Sequence, residues 1–267
     1  MQSDRALIGE SSAILRSFPK ALQVLSFLGQ SAHKTKSDSP NEALRLIEDV
    51  QLFILLTLPV FSMNPLLRLS APLILASQSP RRRALLKQRQ VSFSVQVSPA
   101  DESVEETLPP PDLAQTLAHQ KAIPVAKEHP TALVLAADTI VAHQDTVLEK
   151  PNSHSEARRM LQQLSSSTHA VHTGMALHHR DTDRAITSTT TTHVTFGAIS
   201  DEEIDAYVAT GSPMDKAGGY GIQDHVAPFF IDRLDGDYYN VVGLPLRRLY
   251  VLLQQEFPDL IVTPQSP

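Results

Sequence analysis

The sequence contains no cysteine. Disulfides, thiolate metal centres and cysteine nucleophiles are therefore excluded, which fits a reducing compartment. Two familiar patterns are also missing: the glycine-lysine phosphate loop and the HExxH metal helix. The 11 histidines are scattered, so His169, His172, His178 and His179 are expected as strand and loop residues rather than ligands. Long apolar runs are absent too. "VQLFILLTLPVF", residues 50–61, falls short of the roughly 20 residues a spanning helix requires, so no membrane partner is expected. Asp4 and Glu10 interrupt any basic-then-apolar leader, and a cytoplasmic location is expected. The net charge of −6 argues against broad nucleic-acid binding but leaves room for a local cationic pocket.

With 267 residues, 42% of them hydrophobic, the chain suits one large domain or one domain plus an extension. Residues 1–70 differ in texture from the rest. Two amphipathic helical signals, near 11–28 and 40–57, flank the polar "GQSAHKTKSDSP", and neither carries a chemical motif. The expected division is an extension over 1–70, a catalytic domain over 71–258 and a tail over 259–267. Met63 is where a compact domain would begin. Residues 1–62 are then either a small appended domain or a translated upstream stretch, and the second reading is favoured.

From residue 73 strand and helix signals alternate. "LILASQSPRRRALL", residues 73–86, reads as a buried strand that enters a helix through Ser79 as N-cap and Pro80 at the first helical position. "VSFSVQVS" alternates like a strand. The helical "PPPDLAQTLAHQKAIPVAKEH" should end or kink at Pro124. "ALVLAADTIVA" is a buried strand that "QDTVLEKP" continues through a turn. Ser153 with Glu156, and Ser200 with Glu203, make capping boxes for two helices, the second closed by Gly211. "HAVHTGMAL" and "ITSTTTTHVTF" read as paired strands, and "VGLPLRRLYVLLQQ" as a last helix that is apolar on one face. This order specifies an α/β fold with a mixed, twisted β-sheet flanked by helices.

Arg81, Arg82 and Arg83 stand where a helix least tolerates positive charge, so an anion such as phosphate is expected beside them. A solvated arginine face is the plain alternative. Asp138 is read as ending its apolar strand, where α/β sheets present ligand-binding groups; it could serve as a base, hold a cation or cap a turn. Glu102 lies in an acidic loop. Lys150 could reach an anion or face water. "MDKAGGYGIQD", residues 214–224, has three glycines that let backbone approach a ligand or make an ordinary loop.

Taken in order, "SQSPRRRALL", "AADTIV", "LEKP", "DKAGGYGIQ" and "NVVGLPL" resemble the Maf family of nucleoside triphosphate pyrophosphatases, over about residues 73–253. The resemblance implies a Maf/ITPase-like nucleotide cleft and hydrolysis between the α- and β-phosphates of a nucleoside triphosphate, with a divalent cation, Mg²⁺ or Mn²⁺. It implies that Asp138 accepts the proton, and that Arg81, Thr139 and Gln223 bear on substrate choice. Ser77, Arg82, Lys121, Lys150 and Lys216 match polar positions of a triphosphate shell, and Glu102 with Asp138 the metal position. The combination resembles the dTTP/UTP branch. Two rival readings stand beside it: a pyrophosphatase for 7-methyl-GTP, a branch that looks different at these positions, and a non-catalytic nucleotide-binding regulator of cell division or septum formation. A homodimer is a partner to test. Asp224 departs from the family pattern, which usually has glycine after the glutamine. The arginine cluster is expected to be electrostatically frustrated without a bound polyanion.

Overall fold

Apolar strands that alternate with one-sided helices build a layered α/β arrangement, seen in a computed structural model that describes residues 67–100, 108–144 and 146–262. The chain divides into two units, residues 1–63 and 64–267, and all described residues belong to the second. The expectations for Met63, for the extension and for Glu102 lie outside the described residues.

The strands are β1 (Leu73–Leu75), β2 (Ser94–Val95), β3 (Leu133–His143), β4 (Thr146–Leu148), β5 (Thr168–His179), β6 (Arg184–Phe196) and β7 (Ile231–Asp235). They form one sheet in the order β2-β1-β3-β5-β6-β7, with β4 also on β3. β1 pairs in parallel with β2 and β3, and the remaining pairings are antiparallel. The sheet is mixed, as expected. The helices are α1 (Pro80–Gln88), α2 (Pro110–Glu128), α3 (His154–Leu164), α4 (Asp201–Ala209), α5 (Ala227–Phe230), α6 (Tyr238–Val242) and α7 (Leu246–Glu256).

Side-chain alternation along β3 assigns the layers. Leu133, Leu135 and Ala137 pack with Leu85 and Leu86 of α1 and Leu249, Leu252 and Leu253 of α7. Further along the same face, Val141 and Val171 join α3 and α4 through Leu161, Ile204 and Tyr207. Val134 and Ala136 face the other way, onto Ala118 and Ala122 of α2. One face of the sheet therefore carries two separate apolar clusters.

Ser79 caps α1 by accepting from Arg82 N–H, with Pro80 at the first turn, and Ser200 with Glu203 forms the full reciprocal box on α4. The Ser153 box closes on one side only. Ser153 Oγ accepts from Glu156 N–H, but the Glu156 carboxylate accepts from Asn152 N–H instead, at 2.8 Å. α2 neither ends at Pro124 nor stops short of it; it runs on to Glu128, because Val125 and Ala126 keep the last turn buried. In "VSFSVQVS" Ser94 and Val95 pair with β1, and Gln96 N–H adds one bond to Leu75 C=O at 3.2 Å. Near the limits of the described residues Leu69 bridges Ile261, and Val262 N–H donates to Arg68 C=O at 2.9 Å.

The four singled-out histidines all lie on β5. His169 is buried between Phe196 and Tyr220, with Nε2 2.7 Å from Tyr220 Oη. Burial, helped by His143, lowers its pKa to about 3. Burial also lowers His172 and His178, assisted by His193 and His119 respectively. All three gain protons in the unfolded chain before the folded one, so stability is lost as pH falls below 6.5. His169 alone contributes a slope of about 1.4 kcal/mol per pH unit between its unfolded and folded values. Thermal unfolding followed from pH 8 to 4.5 should therefore fall below pH 6.5, and His169→Gln should flatten the decline. Equal slopes for both proteins would show that His169 is protonated in the fold.

Candidate active site

The site begins where a strand runs out. β1 ends at Leu75, opposite Leu135, and the last bond across is Ala76 N–H to Leu135 C=O at 2.8 Å. β4 joins the same edge of β3 only from Val141 onward. Residues 136–140 therefore border a notch that no strand among the described residues fills, and Asp138 stands at its centre. The expectation that Asp138 ends its own strand is corrected: β3 continues to His143, held by ten pairings with β5, and it is the neighbour β1 that stops.

Asp138 faces α2. Its Oδ1 accepts from Lys121 Nζ at 2.5 Å, and both side chains are largely enclosed. α2 can sit this close because Gly174, the β5 partner of Asp138, has no side chain; a Cβ there would lie 2.1 Å from the Ala114 carbonyl oxygen. Thr139 faces the opposite side, between the two apolar clusters. Its hydroxyl is 2.9 Å from that of Thr173, which donates to Asn240 C=O at 2.9 Å. Asn240 is fully buried and donates through Nδ2 to Val171 C=O and Thr192 Oγ1. These polar groups form a floor that separates the α1/α7 cluster from the α3/α4 cluster. Sequence reasoning missed Thr173 and Asn240; the available signal was one amide inside the apolar "YYNVVGL".

The three arginines have different fates. Arg82 is buried and donates to Gly243 C=O (2.7 Å), Ser77 Oγ (3.1 Å) and Thr139 Oγ1 (3.0 Å), which ties α1 to the floor. Arg81 crosses to Asp215, Nη1 to Oδ2, at 2.8 Å. Arg83 is exposed and, among the described residues, reaches only Gln78 C=O, at 3.5 Å. Among the described residues Arg81 is paired with a carboxylate and Arg82 donates to three neutral oxygens, which relieves the expected frustration at these two positions, since an arginine fork tolerates both kinds of acceptor.

The glycine-rich segment forms the opposite wall. Gly218 adopts φ +70°, and a Cβ there would meet Val141 Cγ1 at 2.9 Å, so glycine lets this turn lie directly on β3. Lys216 is buried, and its ammonium donates to Ser212 C=O (2.5 Å), Asp215 Oδ1 (2.7 Å) and Ser212 Oγ (3.1 Å). The Asp224 carboxylate lies 3.5 Å away and accepts from Tyr207 Oη (2.5 Å) and Ser212 Oγ (2.8 Å). Asp224 is thus an internal brace of this wall. Burial and the Asp224 carboxylate together raise the Tyr207 pKa, so the phenol stays a donor.

A cleft of about 600 Å³ joins the two walls over the notch. Ser77, Arg81, Arg82, Lys121, Asp138, Thr139, Lys150, Lys216 and Gln223 all line it. Nine of the ten expected site residues therefore meet at one place, drawn from segments far apart in the chain, and the tenth, Glu102, is outside the described residues. Lys150 and Gln223 are exposed. Pocket-lining residues that sequence reasoning passed over include Val97, Ser98 and Tyr220.

The Maf-like protein family matches residues 72–256, which takes in both walls and the notch. The chain belongs to the Maf family. A dTTP/UTP pyrophosphatase of Salinibacter ruber is 60% identical over 199 residues, 74% of this chain and 98% of the relative. One of Halalkalibacterium halodurans is 51% identical over 177 residues, 66% of this chain and 92% of the relative. A solved HAM1 protein of Coxiella burnetii covers 69% of this chain and 99% of its own, with 15% identity and a TM-score of 0.34. In this Maf domain every motif that carried the resemblance borders the cleft or braces its walls: "NVVGLPL", for example, supplies Asn240 beneath the floor and the Gly243 carbonyl for Arg82.

Proposed function

We propose that this Maf protein hydrolyses dTTP and UTP to the monophosphate and pyrophosphate. What supports the reading is a largely enclosed carboxylate, Asp138, in a cleft lined with cations, within a chain 60% identical to a relative bearing that activity in its name. Asp138 takes the proton of the water that attacks the α-phosphorus, and Lys121 holds the carboxylate in position. Arg81, Lys150 and Lys216 surround the polyphosphate and offset the charge that builds on the departing oxygens. Ser77 and Thr139 accept from the two terminal nitrogens of Arg82 and so fix its guanidinium. Most of the catalysis is positioning and charge.

A divalent cation, Mg²⁺ or Mn²⁺, belongs to this reading. Among the described residues no three histidine, aspartate or glutamate side chains cluster as a ready cage. The donor chemistry nevertheless fits a hard cation that takes one or two carboxylates and completes its shell with substrate phosphates and water. Asp138 supplies one carboxylate, with Oδ2 making no hydrogen bond among the described residues, and Glu102 is the proposed second. The bound cation would supply Lewis-acid stabilisation of phosphoryl oxygens.

Gln223 is assigned to the base. Its amide offers both a donor and an acceptor, matching the imide edge of thymine or uracil, and a site built for such pairing discriminates strongly when one partner is lost. Pyrophosphate release measured over a panel of nucleotides tests the whole reading, with dTTP and UTP expected to lead and 7-methyl-GTP to trail. In the same panel Gln223→Glu should depress dTTP and UTP hydrolysis by about tenfold or more, the loss expected for a mispaired polar group, and unfavoured triphosphates by less. Uniform losses would remove Gln223 from base recognition.

A further inference from the structure

The two cations that border the cleft from opposite walls share one carboxylate. Asp215 takes Arg81 Nη1 on Oδ2 at 2.8 Å and Lys216 Nζ on Oδ1 at 2.7 Å. It therefore bridges α1 and the glycine-rich wall, 134 residues apart in sequence. Asp224 completes the group at 3.5 Å from Lys216, so two guanidinium or ammonium charges meet two carboxylates. The two carboxylates are not equivalent. The Asp224 side chain is 13% exposed and held by a phenol and a serine hydroxyl, whereas that of Asp215 is 59% exposed. Burial works to raise the Asp215 pKa, but the Lys216 bond and the Arg81 charge outweigh it and hold the carboxyl below its ordinary value. It is an anion throughout the neutral range.

The three donors of an ammonium are all used at Lys216: by Ser212 C=O, by Asp215 and by the Ser212 hydroxyl beside Asp224. A phosphate can gain this ammonium only by exchange with one of these partners. Asp215 is the exchangeable one, being solvated, held by ion pairs alone and simultaneously the partner of Arg81. A polyphosphate that bridges Arg81 and Lys216 makes the contacts that Asp215 makes now.

We propose that Asp215 is an internal competitor for the polyphosphate: it yields Arg81 and Lys216 to the bound substrate and reclaims both as pyrophosphate leaves, which hastens product release. The inference rests on the pyrophosphatase reading for its place in the reaction, but the competition itself concerns only an anion and two cations. Asp215 is a positioning residue in this scheme, since it touches neither the α-phosphorus nor the attacking water. Two partly exposed ion pairs together are worth roughly 1.4 kcal/mol, a factor of about ten.

The test is titration calorimetry of the full chain with inorganic pyrophosphate, which needs no turnover. Asp215→Asn is expected to bind pyrophosphate about tenfold more tightly than the parent, while the uncharged nucleoside thymidine binds both equally. Glu202→Gln, which removes a charge from an exposed position on α4, should leave pyrophosphate binding unchanged and so control for net charge. In steady-state hydrolysis of dTTP the Asp215→Asn protein should show a lower inhibition constant for pyrophosphate, and kcat and KM should fall together as release becomes limiting. Unchanged or weaker pyrophosphate binding in Asp215→Asn would overturn the proposal and make Asp215 a brace for the two cations. An equal gain in Glu202→Gln would overturn it as well, by assigning the effect to overall charge. Loss of secondary structure in the Asn variant is checked by circular dichroism, and Asp215→Ser, smaller and also neutral, must reproduce the tightening. Absence of dTTP hydrolysis in the parent would remove the functional reading while leaving the calorimetric result to decide the competition.

Discussion

Asp138→Asn is expected to lower kcat for dTTP by about 10²- to 10⁴-fold, the contribution of one general base, while calorimetric binding of dTTP stays measurable. The amide oxygen can still accept from Lys121, which now sits 2.5 Å from the carboxylate, so the geometry of the notch survives. What is lost is the capacity to take a proton. Binding should hold or strengthen, because the substitution removes a negative charge from a site that receives a polyanion. A variant that retained most of its pyrophosphate release would place the base elsewhere. A variant that lost binding in proportion to turnover would make Asp138 part of the binding shell instead.

Local signals in this sequence survived folding and distant ones did not announce themselves. Ser79-Pro80 and Ser200/Glu203 start helices because a cap acts on N–H groups two or three residues away. "ALVLAADTIVA" is a strand because its apolar residues are buried on both faces. The place of Asp138 along that strand depended on where β1 ends, and nothing within residues 133–143 encodes that. Arg82 and Arg81 are adjacent and chemically identical, yet one serves the floor and the other the far wall; the difference is set by Gly243 and Asp215, each more than 130 residues away. Glu156 completes only half of its expected capping box for a subtler reason. Asn152, one residue before the cap, offered a competing N–H that the spacing rule does not consider. The recognised motifs located the cleft residues, but the partition of the cations between internal and ligand-directed contacts is a property of the packed structure.

Gly174→Ala is expected to destabilise the fold by about 3 kcal/mol, the upper part of the range for overpacking, and to reduce kcat/KM for dTTP by about 10²-fold. A glycine inside a strand often marks the close passage of another backbone, and here the passing backbone is the first half of α2. The added methyl would meet Ala114 O at 2.1 Å, Ala114 C at 2.3 Å and Gln115 N at 2.5 Å. None of these atoms belongs to a side chain that could turn aside, so α2 itself must retreat by roughly an ångström to restore ordinary carbon contacts. The retreat carries Lys121 away from Asp138, which sits opposite Gly174 in the β3–β5 register. A displacement of that size near the chemistry is what costs about two orders of magnitude in rate. Urea unfolding and dTTP kinetics on the same preparation separate the two effects, since measurements at a temperature where the variant is fully folded leave only the displacement. Full activity in the folded variant would mean that the position of Lys121 does not govern the base, and unchanged stability would mean that α2 does not lie on Gly174 as described.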